Sequence, residues 1–183
     1  EKYITRCLDS LVNQNLEASE YEIIIIDDGS KDNSLSIAKL YFAKYENIYI
    51  YSQENKGVGA ARNKGIELAK GDYVYFIDAD DYLASNVLKT ILSYCVKDLD
   101  ILTFLSRGTT ESNLKESVTN KKSLLAIKYA DGIEYIANNK FNNEIWWYII
   151  NKAFLIKTGI RFIEGRWMED AIFTATVFLK ANA

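Results

Sequence analysis

The sequence predicts a doubly wound α/β domain, a mostly parallel sheet flanked by helices, and three observations carry that prediction. Short apolar strand patterns alternate with amphipathic helical ones along the 183 residues. Ile23, Ile24, Ile25 and Ile26 follow one another without a polar break, the pattern of a parallel strand buried on both faces. Two of the strands end in acid, Asp27-Asp28 and Asp78-Ala79-Asp80-Asp81, at the carboxyl edge where such sheets bind ligands.

Taken in order, Tyr3, Ile4, Cys7, Leu8, Leu11 and Val12 form one stripe at helical spacing, so the chain opens in or just before a helix. Residues 22–28 are the all-isoleucine strand, and Gly29-Ser30 turns the chain. A helix over 33–45, with Leu35, Ala38 and Tyr41 or Phe42 inward, leads to a short strand over 47–51. A glycine-spaced loop and helix occupy 56–70, and 73–77 is the next strand. Val87, Leu88, Ile91, Leu92 and Cys95 mark a helix over 85–96, before a strand over 100–104. The polar stretch 106–122 reads as a mobile loop. Helical pattern returns over 123–139, an aromatic strand or turn follows over 145–150, and an apolar helix over 169–181 begins with Glu169-Asp170. The chain reads as one domain over 1–183, in two parts, 1–105 and 123–183, on either side of that loop.

Composition narrows the chemistry. With 49% hydrophobic residues the chain can bury a core, and a net charge of −3 gives no general field for nucleic acid. The two cysteines, Cys7 and Cys95, sit in apolar helical patterns and read as small buried hydrophobes without a disulfide. No apolar run approaches the roughly 20 residues that span a bilayer. Histidine is absent, so acid–base or metal chemistry rests on Asp and Glu, which favours a hard cation such as Mg2+ or Mn2+.

Asp78, Asp80 and Asp81 lie within a few residues at a strand end, where a divalent metal relieves their repulsion; the same acids also suit a hydrated turn. Asp28 is placed to accept from a nucleobase ring N–H, or to form an Asx-turn with Gly29-Ser30, a task Asp27 can take instead. Lys56, Arg62 and Asn63 gather near a glycine-rich helix start, a setting that suits a diphosphate, although tight packing explains the glycines equally well. Glu169-Asp170 suits a general base and also an ordinary acidic first helical turn. Trp146 and Trp147 are candidates for a sugar-stacking platform or for core aromatics.

Four stretches together resemble glycosyltransferase family 2, the inverting GT-A enzymes that build bacterial polysaccharides. They are Ile-Ile-Asp27-Asp28-Gly29-Ser30-Lys31-Asp32; Asn55-Lys56-Gly57-Val58-Gly59-Ala60-Ala61-Arg62-Asn63-Lys64-Gly65; the run from Ala69-Lys70-Gly71-Asp72 through Asp78-Ala79-Asp80-Asp81; and Glu169-Asp170. The resemblance covers nearly the whole chain. It implies that Asp28 contacts the uracil of a UDP-sugar, that Lys56 and Arg62 lie by the nucleotide and that Asp78 faces the ribose or sugar. It further implies that Asp80 ligates Mn2+ or Mg2+ on the diphosphate and that Asp170 is the general base, supported by Glu169. The acceptor it implies is a glycan or lipid-linked saccharide, with the protein cytoplasmic or at the inner face of the membrane, where regions outside this sequence would make contact. The family's first strand is missing before Glu1, and the chain stops soon after the base-bearing helix, so a fragment of a longer enzyme is expected.

Two rivals remain in view. A catalytically silent nucleotide-binding module would keep the donor site without turnover. A receiver-like signalling domain shares strand-end acids and magnesium, but it needs a lysine after a later strand, and 100–104 ends without one.

Overall fold

The computed structural model describes residues 1–96, 99–106, 108, 128–139 and 142–182. Helix α1 (Ile4–Val12) buries Ile4, Cys7, Leu8 and Leu11 at the predicted helical spacing. Strand β1 (Ile23–Asp27) runs parallel to β2 (Ile48–Ser52), with Ile23 opposite Ile48 and Asp27 opposite Ser52. Between them α2 (Ser34–Lys44) packs on α1 and β2, the short crossover that a parallel pair requires. Helix α3 (Val58–Leu68) lies against β1. Around these elements one cluster of buried residues gathers Ile4, Cys7, Leu8, Leu11, Ile23, Ala38, Ile48 and Leu83.

A second core forms around three short strands, β3 (Tyr73–Tyr75), β4 (Ile101–Thr103) and β5 (Tyr148–Asn151). Their order is β3-β5-β4, with β5 antiparallel to both neighbours. The later α-helices are α4 (Leu88–Ser93), α5 (Gly132–Asn138), α6 (Lys152–Thr158) and α7 (Glu169–Lys180). Tyr148, Ile150, Leu155, Phe173 and Val177 are almost wholly inaccessible. Each such burial is worth about 1.5–3 kcal/mol, so this is the firmest part of the molecule.

The α/β class and the alternation of strands with helices stand, and three details differ from the sequence expectation. β1 is half-buried over its middle isoleucines, because β2 is the sole strand paired with it among the described residues. Within the 145–150 segment, 145–147 turn and 148–150 begin β5, which enters the sheet antiparallel. Helix α6 was not expected, yet its ends carry ordinary signals. Asn151 accepts from the Phe154 N–H at the start, and Gly159 closes it at φ +67°. Trp147 lies in the core, stacked on Tyr135 and Phe178, which removes it as a sugar platform. Nearly all of the expected 106–122 loop, and the 123–127 start of the expected helix, lie outside the described residues.

Two helical glycines make opposite predictions. A Cβ on Gly132 would strike the backbone carbonyl of Phe178, where α5 crosses α7, whereas one on Gly65 in α3 meets nothing within 4 Å. Gly132→Ala should lower the unfolding free energy, read from urea titration, by about 1–3 kcal/mol through overpacking. Gly65→Ala should raise it by roughly 0.5–1 kcal/mol through helix propensity.

Candidate functional site

The candidate residues converge where the carboxyl ends of β1 and β3 meet the starts of α3 and α7. At the end of β1 the two acids divide their work. Asp27 is buried and its Oδ1 accepts from the Ser30 N–H at 3.1 Å, which makes the turn through Gly29 at φ +74°. Asp28 points the other way and organises the loop before α3. Its Oδ1 accepts from Gln53 Nε2 at 2.8 Å and from the Lys56 N–H at 2.9 Å, and its Oδ2 accepts from the Gly57 N–H at 2.8 Å. A carboxylate offers about four acceptor positions, so one on Oδ2 is left for a ligand N–H. Burial pushes the Asp28 pKa up, but these three donors outweigh it and hold the carboxyl below its ordinary value. Gln53 was not singled out in the sequence. Its signal is positional, since its N–H extends the β1–β2 ladder to the Asp27 carbonyl at 2.9 Å.

Helix α3 starts at Gly57, φ +89°, with exposed Lys56 just before it. The first-turn amides of such a helix have no carbonyl behind them and suit an anion. Arg62, one turn further on, faces elsewhere. Its guanidinium is one-tenth exposed and donates to Asp78 Oδ1 at 2.9 Å and to Glu169 Oε1 at 2.7 Å. It lies 5.4 Å over the ring of Phe162. That ring stacks on Phe173, and Phe76 packs edge-on against both. Asp78 and Glu169, 16 and 107 residues from Arg62, therefore share one cation on an aromatic floor.

Beyond Asp78, the Asp81 N–H donates to the Asp78 carbonyl at 3.0 Å and closes a turn that leaves Asp80 exposed. Arg6 steadies the turn by donating to the Asp80 carbonyl at 2.6 Å. Burial raises the Asp81 pKa, and the charges of Asp80 and Asp78 raise it further. The turn is thus short of positive charge. Among the described residues no three acidic or cysteine side chains converge closely enough to hold a metal ion alone. A hard dication bound by one carboxylate and by substrate phosphates needs no such cluster, so exposed Asp80 fits that role while Asp78 is held by Arg62.

At the start of α7, Glu169 is buried in its ion pair and Asp170 is half-buried, its Oδ1 accepting from the Ala171 N–H at 2.8 Å. Of the two, Glu169 is the one paired with Arg62, and no described cation forms an ion pair with Asp170. Met168 before them takes the left-handed conformation at φ +64°, uncommon for a side chain of that size.

The profile of "Glycosyl transferase family 2" matches residues 1–173. The chain is 32% identical over 181 residues to the "uncharacterized glycosyltransferase YibD" of Escherichia coli, covering 96% of this chain and 52% of that protein. It is 33% identical over 182 residues to the cholesterol galactosyltransferase of Borreliella burgdorferi, covering 93% and 50%. Among solved structures, Staphylococcus aureus TarS 1-349 in complex with UDP-GlcNAc superposes with a TM-score of 0.80 at 28% identity, covering 100% of this chain and 51% of that one. The chain spans about half the length of these relatives.

Two acids of the site should respond to pH with opposite signs. Asp28, held below its ordinary 3.8, contributes stability that is present above that value and lost as pH falls through the lower folded value. Asp28→Asn should therefore be less stable than the parent at neutral pH, with the deficit shrinking in acid. Asp81, raised above 3.8, carries a penalty at neutral pH that protonation removes. Asp81→Asn should be more stable than the parent near pH 7, and the gain should fade on acidification. Urea titrations of all three proteins at several pH values check both.

Proposed function

The chain belongs to glycosyl transferase family 2, and on that premise we propose that it transfers a sugar from a UDP-sugar to a glycan or lipid-linked saccharide acceptor, with inversion and with a divalent metal. The observation that carries this is the single ion bridge Asp78–Arg62–Glu169, which ties the acids at the end of β3 to the start of the helix bearing Asp170. A donor held at the strand ends and a base at the start of α7 are the two parts that displacement needs. Complexes of the related TarS with UDP-GlcNAc and UDP support a uridine nucleotide as the donor class.

In this reading the free acceptor position on Asp28 Oδ2 takes the uracil N–H, and Lys56 with the first-turn amides of α3 faces the diphosphate. Arg62 comes near the nucleotide only through Asp78, which it holds and which faces the ribose or sugar. Asp80 would hold Mn2+ or Mg2+, which offsets the charge that develops on the diphosphate as the glycosidic bond breaks. Asp170 takes the proton of the acceptor hydroxyl as its oxygen attacks the anomeric carbon from the face opposite UDP. The new C–O bond forms, the bond to UDP breaks, and the configuration inverts. Glu169, neutralised by Arg62, is the weaker candidate for that proton and serves as support.

Residues 1–105 act as the donor half and 123–183 as the start of the acceptor half. The relatives include a cholesterol galactosyltransferase and poly(ribitol-phosphate) glycosyltransferases, so the acceptor varies at comparable identity. No helix among the described residues is long and apolar enough to cross a membrane. We place the protein in the cytoplasm or at the inner face of the membrane, where regions outside this sequence would make the contact.

Calorimetry with UDP should detect binding that is strengthened by Mn2+, and Asp80→Ala should lose the Mn2+-dependent part. A signal that is absent, or indifferent to the metal, would overturn the donor assignment. Asp170→Asn should keep UDP binding and lower UDP release from the true donor by about 10²–10⁴-fold. Binding without any release in the parent protein would instead favour a catalytically silent nucleotide module.

A further inference from the structure

We propose that Arg62 is a positioning residue for the base-bearing helix, and that the α3 face formed by Gly59, Arg62 and Asn63 is a clamp on residues 162–169 instead of a grip on the diphosphate. The inference rests on the reading of Asp170 as the base, and it changes what the glycine-spaced stretch is for.

All three side positions act on the same target. A Cβ on Gly59 would stand 2.7 Å from the Ile163 carbonyl oxygen and 3.5 Å from Glu169 Cγ, so a bare α-carbon is what lets the segment approach. Asn63, 8% exposed, meets the main chain of Phe162 twice. Its Nδ2 donates to the Phe162 carbonyl at 3.0 Å, and its Oδ1 accepts from the Phe162 N–H at 2.8 Å. The same Nδ2 also donates to Glu164 Oε1 at 3.0 Å. Arg62 then closes the far end through Glu169, while its ring contact rests on Phe162.

Each arm of the guanidinium already has a carboxylate, and the group is nearly covered, so it is poorly placed to meet a phosphate as well. What it does hold is the residue before Asp170. Left-handed Met168, immediately upstream, persists because its neighbours fix the chain on both sides, at Phe162 and at Glu169. A small displacement of a base costs rate far more than it costs donor affinity.

Arg62→Met leaves two buried or half-buried carboxylates without their cation and risks the fold, so the decisive variant is Arg62→Lys. It keeps the charge, but its compact ammonium lacks the planar fork that serves both acids. Three measurements on the parent and Arg62→Lys separate the roles. They are UDP affinity with Mn2+, UDP release at saturating UDP-GlcNAc, and hydrogen exchange of amides 162–170 without ligand.

The clamp predicts UDP affinity within about threefold of the parent, release slower by about tenfold or more, and faster exchange confined to 162–170 while β1 stays protected. UDP affinity weakened by tenfold or more, with exchange unchanged, would make Arg62 a nucleotide contact and overturn the proposal. Unchanged exchange over 162–170 overturns it whatever the rate. If the parent binds no UDP the donor assignment fails by itself, and the exchange result still decides whether the clamp exists.

Discussion

The Arg62 guanidinium stands between two carboxylates that reach it from distant parts of the chain, and much of the surrounding structure makes that placement tolerable. Removing a cation from water costs several kcal/mol unless its hydrogen bonds and counter-charges are supplied in good geometry. Here two charged hydrogen bonds and the face of Phe162 supply them. The three phenylalanines below tie β3, the 162 segment and α7 into one hydrophobic unit. The polar bridge therefore rests on one continuous aromatic floor. Its surplus of one negative charge is left on the side of Asp78, the more exposed of the two acids.

Asp28 does for the donor side what Arg62 does between the two sides. It fixes Gln53 at the end of β2 and two consecutive amides at the mouth of α3. One carboxylate thus sets the geometry of the loop and still has an acceptor position to spare. The division of labour with Asp27 explains why the strand ends in two acids: one must fold back to make the turn so that the other can face outward.

Much of this was legible in the sequence. The isoleucine run, its acidic end and the helical stripe of α1 lie in local pattern, and local pattern survives folding. Asp27's turn was foreseeable because Asx-turns need only the next few residues. What could not be read were relations across the chain. Arg62 beside glycines at a helix start looks like an anion site, and nothing nearby announces a partner 107 residues away. Strand direction is equally silent, since a short apolar run such as 148–150 has the same pattern in either orientation, so β5 entering antiparallel was not foreseen. Trp147 had two open readings, and its burial between Tyr135 and Phe178 selects the core one: an aromatic that stacks on sugars and one that stacks on other rings are the same residue until its neighbours are known. Helix α6 has its signals in Asn151 and Gly159, but a helix of seven residues carries too short an apolar stripe to show a period.

The two-way pairing of Asn63 with Phe162 makes a side chain behave as a detachable piece of backbone. A primary amide carries one donor edge and one acceptor edge, as a peptide group does, so a helix is joined here to a loop in the manner of neighbouring strands. Along an extended segment the N–H and carbonyl of successive residues face alternate sides. Slipping the segment by one residue would offer Asn63 groups that point away, and a slip of two would tear Glu169 from Arg62. Both hydrogen bonds go to one residue, so this joint selects a single register of the segment that leads to Asp170.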